Sequence, residues 1–153
     1  MLLCLDAGNT RLKYGLRDDA EWRVQGALDY AAFDGLGQQL PAPPTRIVAC
    51  NVAGEPTRER IETLAARLRI PLDWLQSSAV ACGVSNGYDK PQQLGADRWA
   101  ALIGARALHA DACVVVVAGT ATTIDALDAQ GRFRGGLILP GLALMRSALA
   151  QNT

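Results

Sequence analysis

The segment Asp-Ala-Gly-Asn-Thr at residues 6–10 lies between an apolar run and a second, alternating one. A glycine-containing turn between strands exposes backbone N–H groups that can bind an anion. Gly8 can take a positive φ, Thr10 can donate its hydroxyl, and Lys13 can neutralise charge. Asp6 can hold hydrated Mg²⁺, which bridges phosphate oxygens. The turn is therefore either an ordinary β-hairpin or a phosphate loop.

A second glycine-threonine turn, Ala-Gly-Thr-Ala-Thr at residues 118–122, repeats this arrangement later in the chain. Gly119 can take a positive φ like Gly8, and Thr120 can donate its hydroxyl. Two such loops facing each other would hold a nucleotide between two lobes, so the pair favours phosphate binding over two unrelated hairpins. Other nucleotide motifs are missing from the sequence: there is no GxxxxGK[ST], and the GxG at 35–37 lacks a third glycine and a preceding strand.

Asp97 and Arg98 stand at the start of a predicted helix, directly after Gly95 and Ala96. A carboxylate in the first turn is favoured by the helix dipole, so capping is one explanation for Asp97. An arginine there opposes the dipole and indicates an anionic partner, either a ligand or a neighbouring carboxylate. An aspartate that accepts a hydroxyl proton, beside an arginine that holds a carboxylate, suits a kinase that phosphorylates an alcohol.

Hydrophobic periodicity predicts two α/β halves around these residues. The first half is predicted as strands 2–6, 11–17, 22–28, 46–52 and 70–75 with a helix over 57–69. The second is predicted as a helix over 94–110, two strands within 113–127, a strand over 131–139, and a helix with Pro140 in its first turn. Three antiparallel strands followed by helix-linked strands are typical of a ribonuclease H-like fold. The halves resemble each other, which indicates an internal duplication with an incomplete second copy. We predict domains at 1–84 and 85–153, with 76–93 as a connector.

Composition excludes several classes of protein. Half of the 153 residues are hydrophobic and a fifth are charged, which suits a packed core. A net charge of zero gives no reason to expect nucleic acid as a partner, and no apolar segment reaches membrane-spanning length. The four cysteines form no CxxC pair, which is typical of reduced thiols in a cytoplasmic protein, and a single histidine argues against a His-based metal site.

Four motifs in this order resemble type III pantothenate kinases, members of the acetate kinase, sugar kinase, Hsp70 and actin superfamily. They are DAGNT at 6–10, GYDKPQQLGADR at 87–98, GTATTID at 119–125 and GGLILPG at 135–141. The resemblance covers the whole chain. It implies a duplicated ribonuclease H-like (actin-like ATPase) fold. It also implies ATP-dependent phosphorylation of pantothenate to 4′-phosphopantothenate, the first step of coenzyme A biosynthesis. The family's members are homodimers with the substrate site at the dimer interface.

The resemblance also implies residue roles. Asp97 would be the general base on the pantothenate hydroxyl. Pantothenate would be contacted by Tyr88, Gly95, Ala96, Asp97 and Arg98. ATP would be contacted by Asp6, Ala7, Gly8, Asn9, Thr10, Arg11, Leu12 and Lys13 in the first loop and by Thr120 in the second. Asp6 would hold Mg²⁺ through water.

Two departures from the family pattern qualify these expectations. Val117 stands where the second loop of the family usually has an aspartate that helps to hold K⁺ or NH₄⁺. We therefore do not expect a monovalent-cation site of the usual kind. Family chains are also expected to continue further, so that the missing part would complete the second domain and supply another pantothenate contact. Whether this chain is active by itself is left open.

Two alternative functions also stay open at this point. One is a non-catalytic regulator similar to Bvg accessory factor. The other is a different small-molecule kinase, or a phosphatase, of the same superfamily. The segment Gly95–Arg98 together with Tyr88 favours pantothenate as the acceptor.

Overall fold

The computed structural model of the protein describes residues 1–19 and 21–152. By backbone contacts the chain divides into two compact units, the first spanning Met1–Leu75 and the second beginning at Gln76. The predicted domain boundary after residue 84 stays a prediction.

The first unit contains a five-stranded mixed sheet. Its strands are β1 (Leu2–Ala7), β2 (Leu12–Asp18), β3 (Glu21–Leu28), β4 (Arg46–Asn51) and β5 (Leu72–Trp74), arranged in the order β3-β2-β1-β4-β5. The first three strands form an antiparallel meander, whereas β4 and β5 run parallel to β1. The α/β class and the meander predicted from the sequence are confirmed.

Short helical segments connect and cover this sheet. A 3-10 turn at Tyr30–Gly35 leads into α1 (Leu36–Gln39), and α2 (Glu55–Leu68) links β4 to β5. Helix α2 starts earlier than its predicted range of 57–69, after Gly54, whose φ of 94° is one that glycine tolerates best. It ends where Arg69 takes a left-handed conformation with φ 54°.

The hydrophobic core of the first unit lies on one face of the sheet, under α2. It is formed by alternate strand residues together with helix residues, among them Leu3, Leu5, Ala7, Leu12, Leu16, Ile47, Ala49, Ile61 and Leu64. Because successive strand residues point to opposite faces, Asp6 lies on the other side of β1 from Leu5 and Ala7. Core packing thus fixes the strand that carries Asp6.

The second unit contains a three-stranded antiparallel sheet in the order β10-β9-β8. In chain order its elements are β6 (Val80–Ala81), β7 (Val84–Ser85), a 3-10 turn (Pro91–Gln93), α3 (Ala96–Leu108), β8 (Cys113–Ala118), β9 (Ala121–Leu127), β10 (Phe133–Pro140) and α4 (Leu142–Asn152). Pro140 ends β10, so the last helix begins later than predicted.

Residues 76–93 are anchored to the second unit by hydrogen bonds. The Ser77 hydroxyl donates to the Leu94 carbonyl oxygen at 2.7 Å, and the Ser85 N–H donates to the Gly131 carbonyl oxygen at 2.8 Å. This segment, predicted to be a connector, is therefore packed structure that leads directly into α3.

The two faces of the second sheet differ in their covering. Helix α3 contacts β8 and β9, and Trp99, Leu102, Leu127 and Phe133 are almost fully buried. The opposite face carries exposed apolar side chains from both outer strands, namely Val114, Val116, Leu137 and Leu139. A sheet that buries only one apolar face leaves the other available for further structure.

In the part of the chain that the structure describes, no helix combines the length and the apolar character needed to cross a lipid bilayer.

Thr123 in β9 provides a test of this packing. Its hydroxyl is buried and, within residues 1–19 and 21–152, Thr123 Oγ1 and Trp99 Nε1 are buried side-chain atoms without a hydrogen-bond partner. An unsatisfied buried hydroxyl costs about 1–3 kcal/mol. We expect Thr123→Val to raise the free energy of unfolding of the full-length protein by about 1 kcal/mol, measured by denaturant titration.

Thr122→Val is the matched control, because Thr122 is the neighbouring, half-buried residue on the opposite face of β9. Its effect should stay within about 0.5 kcal/mol. A clear loss of stability in Thr123→Val, with no loss in the control, would contradict this account of the Thr123 hydroxyl.

Candidate active site

The first predicted phosphate loop is the hairpin between β1 and β2. Asp6 and Lys13 are opposite each other in the antiparallel register, and Lys13 Nζ lies 2.9 Å from Asp6 Oδ2. The other carboxylate oxygen, Oδ1, is 3.4 Å from the Cys50 thiol on β4. Asp6 and Lys13, both singled out from the sequence, are therefore brought together at the mouth of the hairpin, where both are partly exposed.

The tip of this hairpin is held by its own backbone and by one half-buried tyrosine. The Gly8 N–H donates to the Arg11 carbonyl oxygen at 3.2 Å, and the Tyr30 hydroxyl donates to the Gly8 carbonyl oxygen at 2.5 Å. Partial burial raises the pKa of Tyr30, which keeps this hydroxyl a donor. Arg11 is paired with Asp29 at 3.2 Å.

The predicted ATP-contacting residues of this loop differ in exposure. Asn9, Thr10 and Arg11 are exposed, whereas Ala7 and Leu12 have their side chains in the core. Only the backbone of Ala7 and Leu12 is therefore available to a ligand.

Neither loop glycine uses the positive φ that glycine permits. Gly8 and Gly119 both have φ outside the left-handed region, in contrast to Gly54, Gly83 and Gly135. A Cβ built on Gly8 would approach the Arg11 carbonyl oxygen at 3.4 Å, and one built on Gly119 would approach the Ala121 carbonyl oxygen at 3.5 Å. These are ordinary contact distances, so neither backbone strain nor internal crowding requires glycine at these two positions.

The second loop, Gly119-Thr120, turns between β8 and β9 and is exposed. The Gly119 N–H donates to the Ala121 carbonyl oxygen at 3.0 Å, and the Gly141 N–H donates to the Thr120 carbonyl oxygen at 2.9 Å. Gly141 is buried against the loop, and a Cβ there would stand 2.5 Å from the Thr120 carbonyl oxygen and collide with that of Gly119. The loop is thus supported from beneath by a backbone that has no room for a side chain.

The start of α3 presents Asp97. Gly95 caps the helix with extended backbone, and the Arg98 N–H donates to Asp97 Oδ1 at 2.8 Å. A side chain on Gly95 would bring its Cβ within 2.6 Å of the same oxygen. Asp97 is half-buried and lies in the first turn, where the helix dipole favours a carboxylate, but the N-cap is Gly95 and no side chain caps the helix.

Arg98 finds its anionic partner within the protein. Its guanidinium forms a two-pronged pair with Asp125 on β9, with Nε 3.1 Å from Oδ2 and Nη2 bonded to Oδ1. Both side chains are buried, and the hydrogen bonds to Asp125 raise the pKa of Arg98 further above its usual value. Of the two explanations left open by the sequence, the neighbouring carboxylate is the one that the structure shows, and a ligand contact remains a prediction.

Tyr88 reaches the same region through an aromatic contact. Its ring centroid lies 5.5 Å from that of Phe133, and the Arg98 Cζ lies 5.7 Å from the Phe133 ring centroid. The Tyr88 N–H donates to Asn86 Oδ1 at 3.1 Å, which holds the backbone in place. Tyr88, Gly95, Ala96, Asp97 and Arg98 thus all belong to the second unit.

No carboxylate stands at position 117. Val117 is a half-buried residue of β8, paired in register with Thr123. In residues 1–19 and 21–152, no group of three or more His, Cys, Asp or Glu side chains is arranged to hold a metal ion.

The Asp6 carboxylate nevertheless has the chemistry to serve a Mg²⁺ ion. Mg²⁺ in nucleotide sites is usually held by one or two carboxylates, waters and substrate phosphates rather than by a complete protein cage. Asp6 is partly exposed, and a carboxylate has about four acceptor positions, so the bond from Lys13 leaves capacity for a hydrated ion.

Comparison with known proteins assigns the family. A family model described as type III pantothenate kinase matches residues 2–153. The chain belongs to the type III pantothenate kinase family. A type III pantothenate kinase of Aromatoleum aromaticum is 52% identical, with 100% of this chain and 64% of the relative covered. One from Azoarcus sp. strain BH72 is 49% identical, with 100% and 60% covered. The chain thus spans about three fifths of the length of these curated relatives.

Solved structures show the same fold at low identity. A candidate 2-dehydro-3-deoxygalactonokinase protein of Sinorhizobium meliloti superposes with a TM-score of 0.56 at 14% identity, covering 100% of this chain and 57% of that chain. Ethanolamine utilization protein EutJ of Carboxydothermus hydrogenoformans gives 0.51 at 12% identity, covering 97% and 56%. These similarities show that distant proteins share the α/β fold of this pantothenate kinase family member. They support no inference about function.

Sequence reasoning did not identify Cys50 beside Asp6, Tyr30 beneath Gly8, or Asp125 as the partner of Arg98. The sequence did contain a signal for Asp125. This carboxylate stands inside the strand-like run at residues 121–127, and a carboxylate that is buried in a strand needs a partner. For Cys50 and Tyr30 no local pattern distinguishes them from other strand and turn residues.

Gly141→Ala tests the support of the second loop. Because a methyl group at position 141 would overlap the carbonyl oxygens of Gly119 and Thr120, we expect the loop to shift and the free energy of unfolding to fall by about 1–3 kcal/mol. The measurement is denaturant unfolding of the full-length protein.

Gly104→Ala is the control, because a Cβ on this α3 glycine meets nothing within 4 Å. It should stabilise the protein by about 0.5–1 kcal/mol, as alanine does in a helix. Equal effects of the two substitutions would refute the crowding at Gly141.

Proposed function

We propose that the whole protein uses ATP to phosphorylate pantothenate to 4′-phosphopantothenate, the first step of coenzyme A biosynthesis. The observation that carries this proposal is the 52% identity to a protein named type III pantothenate kinase, which extends over the entire chain. The motifs that suggested the family lie within that aligned region.

Asp97 is the proposed general base. Its position in the first turn of α3, with Oδ1 held by the Arg98 N–H, supports the role because the second oxygen can accept a proton from a substrate hydroxyl. The hydroxyl oxygen of pantothenate attacks the γ-phosphorus in line. The bond from the γ-phosphorus to the β–γ bridging oxygen breaks, ADP leaves, and the hydroxyl proton passes to Asp97.

The acceptor would be positioned by residues around Asp97. We assign pantothenate contacts to Tyr88, Gly95, Ala96 and Arg98. The ring contact of Tyr88 with Phe133, and of Phe133 with Arg98, supports the assignment because it gathers these side chains within the second unit. The guanidinium has five N–H donors, so its pairing with Asp125 leaves donors for a substrate carboxylate.

ATP phosphates are assigned to the loop from Asp6 to Lys13 and to Thr120. The exposure of Asn9, Thr10 and Arg11 supports this assignment, with Ala7 and Leu12 contributing backbone groups. Gly8 and Gly119 support the assignment of these loops to ATP phosphates by a separate argument. Since no internal contact requires glycine at position 8 or 119, close approach of a ligand to the backbone is a reason for glycine there.

Charge neutralisation would be shared between Lys13 and a metal ion. Asp6 is the residue that would hold Mg²⁺, through water, and the ion would supply charge neutralisation at the phosphates. Because the side chain of Val117 has no oxygen, we do not expect a K⁺ or NH₄⁺ site of the usual family kind.

The fold is proposed to be a duplicated ribonuclease H-like fold with an incomplete second copy. The meander β8-β9-β10 repeats the meander β1-β2-β3. In the first unit β1 also pairs with β4, whereas the equivalent edge of β8 has no partner strand among the described residues. The uncovered apolar face of the second sheet supports the same proposal.

We further propose that the protein is a homodimer and that it is located in the cytoplasm.

Asp97→Asn in the full-length enzyme tests the base. Asparagine keeps the shape but cannot take the proton, so we expect kcat to fall by about 10²–10⁴-fold with the fold unchanged. Turnover is measured by ADP release with pantothenate as acceptor. Asp111→Asn, at an exposed aspartate after α3, should keep wild-type turnover. Wild-type kcat in Asp97→Asn would remove Asp97 from this role.

Calorimetric titration separates a kinase from a non-catalytic regulator. We expect the full-length protein to give binding heat with ATP and Mg²⁺, and with pantothenate in the presence of a non-hydrolysable ATP analogue. The absence of heat with both ligands would contradict the proposed function.

A further inference from the structure

We infer that Asp125 is a positioning residue of this site, which acts through Arg98 to fix the first turn of α3 and thereby the direction of Asp97. The inference rests on the proposed function, because it takes Asp97 as the base. Asp125 touches no reacting atom in this scheme. Its contribution is the geometry of the residues that do.

The ion pair has the features of a rigid connection. The Asp125 side chain is fully buried and that of Arg98 is 7% exposed. Nε and Nη2 of Arg98 each bond one oxygen of Asp125, an arrangement that sets both the distance and the plane of the guanidinium. A single hydrogen bond or a lysine would leave rotation free, whereas the two-pronged pair does not.

The carboxylate is itself held in a fixed place. Asp125 lies in the middle of β9, where its backbone pairs with Val115 of β8 on one side and Gly136 of β10 on the other. The centre of a three-stranded sheet is its least mobile part, because both neighbours restrain it. The pair therefore ties the first turn of α3 to the most restrained strand of the unit.

Gly136 leaves space for the pair. A Cβ at this position would collide with Asp125 Oδ1 and would stand 2.8 Å from Arg98 Nη2. Its φ is not in the left-handed region, so backbone conformation is not what requires glycine. The absence of a side chain at 136 is thus part of the same arrangement.

Asp97 and Tyr88 both depend on the position of Arg98. The Arg98 N–H holds Asp97 Oδ1, so a displacement of this residue moves the proposed base. Phe133 lies against both Arg98 and Tyr88, so a rotated guanidinium would disturb the aromatic contact as well. An error of about 1 Å in the position of a catalytic group can reduce turnover by about 10²-fold.

Two substitutions in the full-length enzyme test the inference. Asp125→Asn keeps the shape but loses the charge, and Gly136→Ala keeps both charges but displaces them. For each we expect kcat with saturating pantothenate to fall by about 10–100-fold while KM for ATP stays within twofold, after correction for the folded fraction. Hydrogen exchange of the amides of residues 97–99 should accelerate in both variants.

Asp111→Asn and Gly104→Ala are the matched controls, since one removes an exposed carboxylate and the other adds a methyl group in open space. Both should keep wild-type kcat and exchange rates. If Asp125→Asn does not fold, Gly136→Ala decides. If neither folds, Asp125→Glu, which keeps both charges and displaces the carboxylate, decides by the same kcat and exchange readouts.

The outcomes distinguish this inference from the proposed function. A wild-type enzyme that does not phosphorylate pantothenate overturns the proposed function, and this role with it. An active wild type whose Asp125 and Gly136 variants retain kcat, or lose activity only in proportion to the folded fraction, overturns the positioning role alone. A rise in KM for ATP as large as the fall in kcat would also overturn it, because that result indicates a general loss of structural order rather than a displaced base.

Discussion

The buried pair between Arg98 and Asp125 is the interaction on which the candidate site depends most. A buried charge without a partner is strongly unfavourable, so each of these residues requires the other once α3 packs on the sheet. This mutual requirement determines which side chain of the first helical turn faces the sheet. Arg98 is buried, and Asp97, the residue before it, is left half-buried at the helix start. The pair thus separates a buried structural charge from a half-buried one at the helix start.

The first unit places its charged residues by a different physical rule. Alternation along β1 sends Leu3, Leu5 and Ala7 into the core, and therefore sends Asp6 to the opposite face. The tight hairpin then sets Lys13 opposite Asp6 in the register. A slip of one residue would bury the carboxylate and expose the apolar side chains, so the core itself holds this ion pair at the mouth of the loop.

Local pattern was sufficient for most of the elements. The strands of the two larger sheets and the helices α2 and α3 follow from hydrophobic periodicity, and the α/β class follows from their order. The short strands β6 and β7 do not, because they lie in the segment predicted to be a connector. The exact residues at which some elements begin and end do not follow from local pattern. Pro140 was expected in a helix because proline is common in a first turn, but it closes β10 because the register with β9 extends to Ala121. The packed role of residues 76–93 depends on partners such as Leu94 and Gly131, which no local pattern indicates.

The sequence by itself determined most of the elements, the two glycine-threonine loops and, through motif order, the family. It also identified Asp97 and Arg98 as residues that need an explanation, because charge near a helix start has a known energetic sign. Only the tertiary structure decided that the anion facing Arg98 is Asp125 and that Gly141 and Gly136 are spacers. It also decided that Gly8 and Gly119 need no positive φ. The physical reason is that these features depend on contacts between distant segments, whereas periodicity and turn chemistry report only on neighbours along the chain.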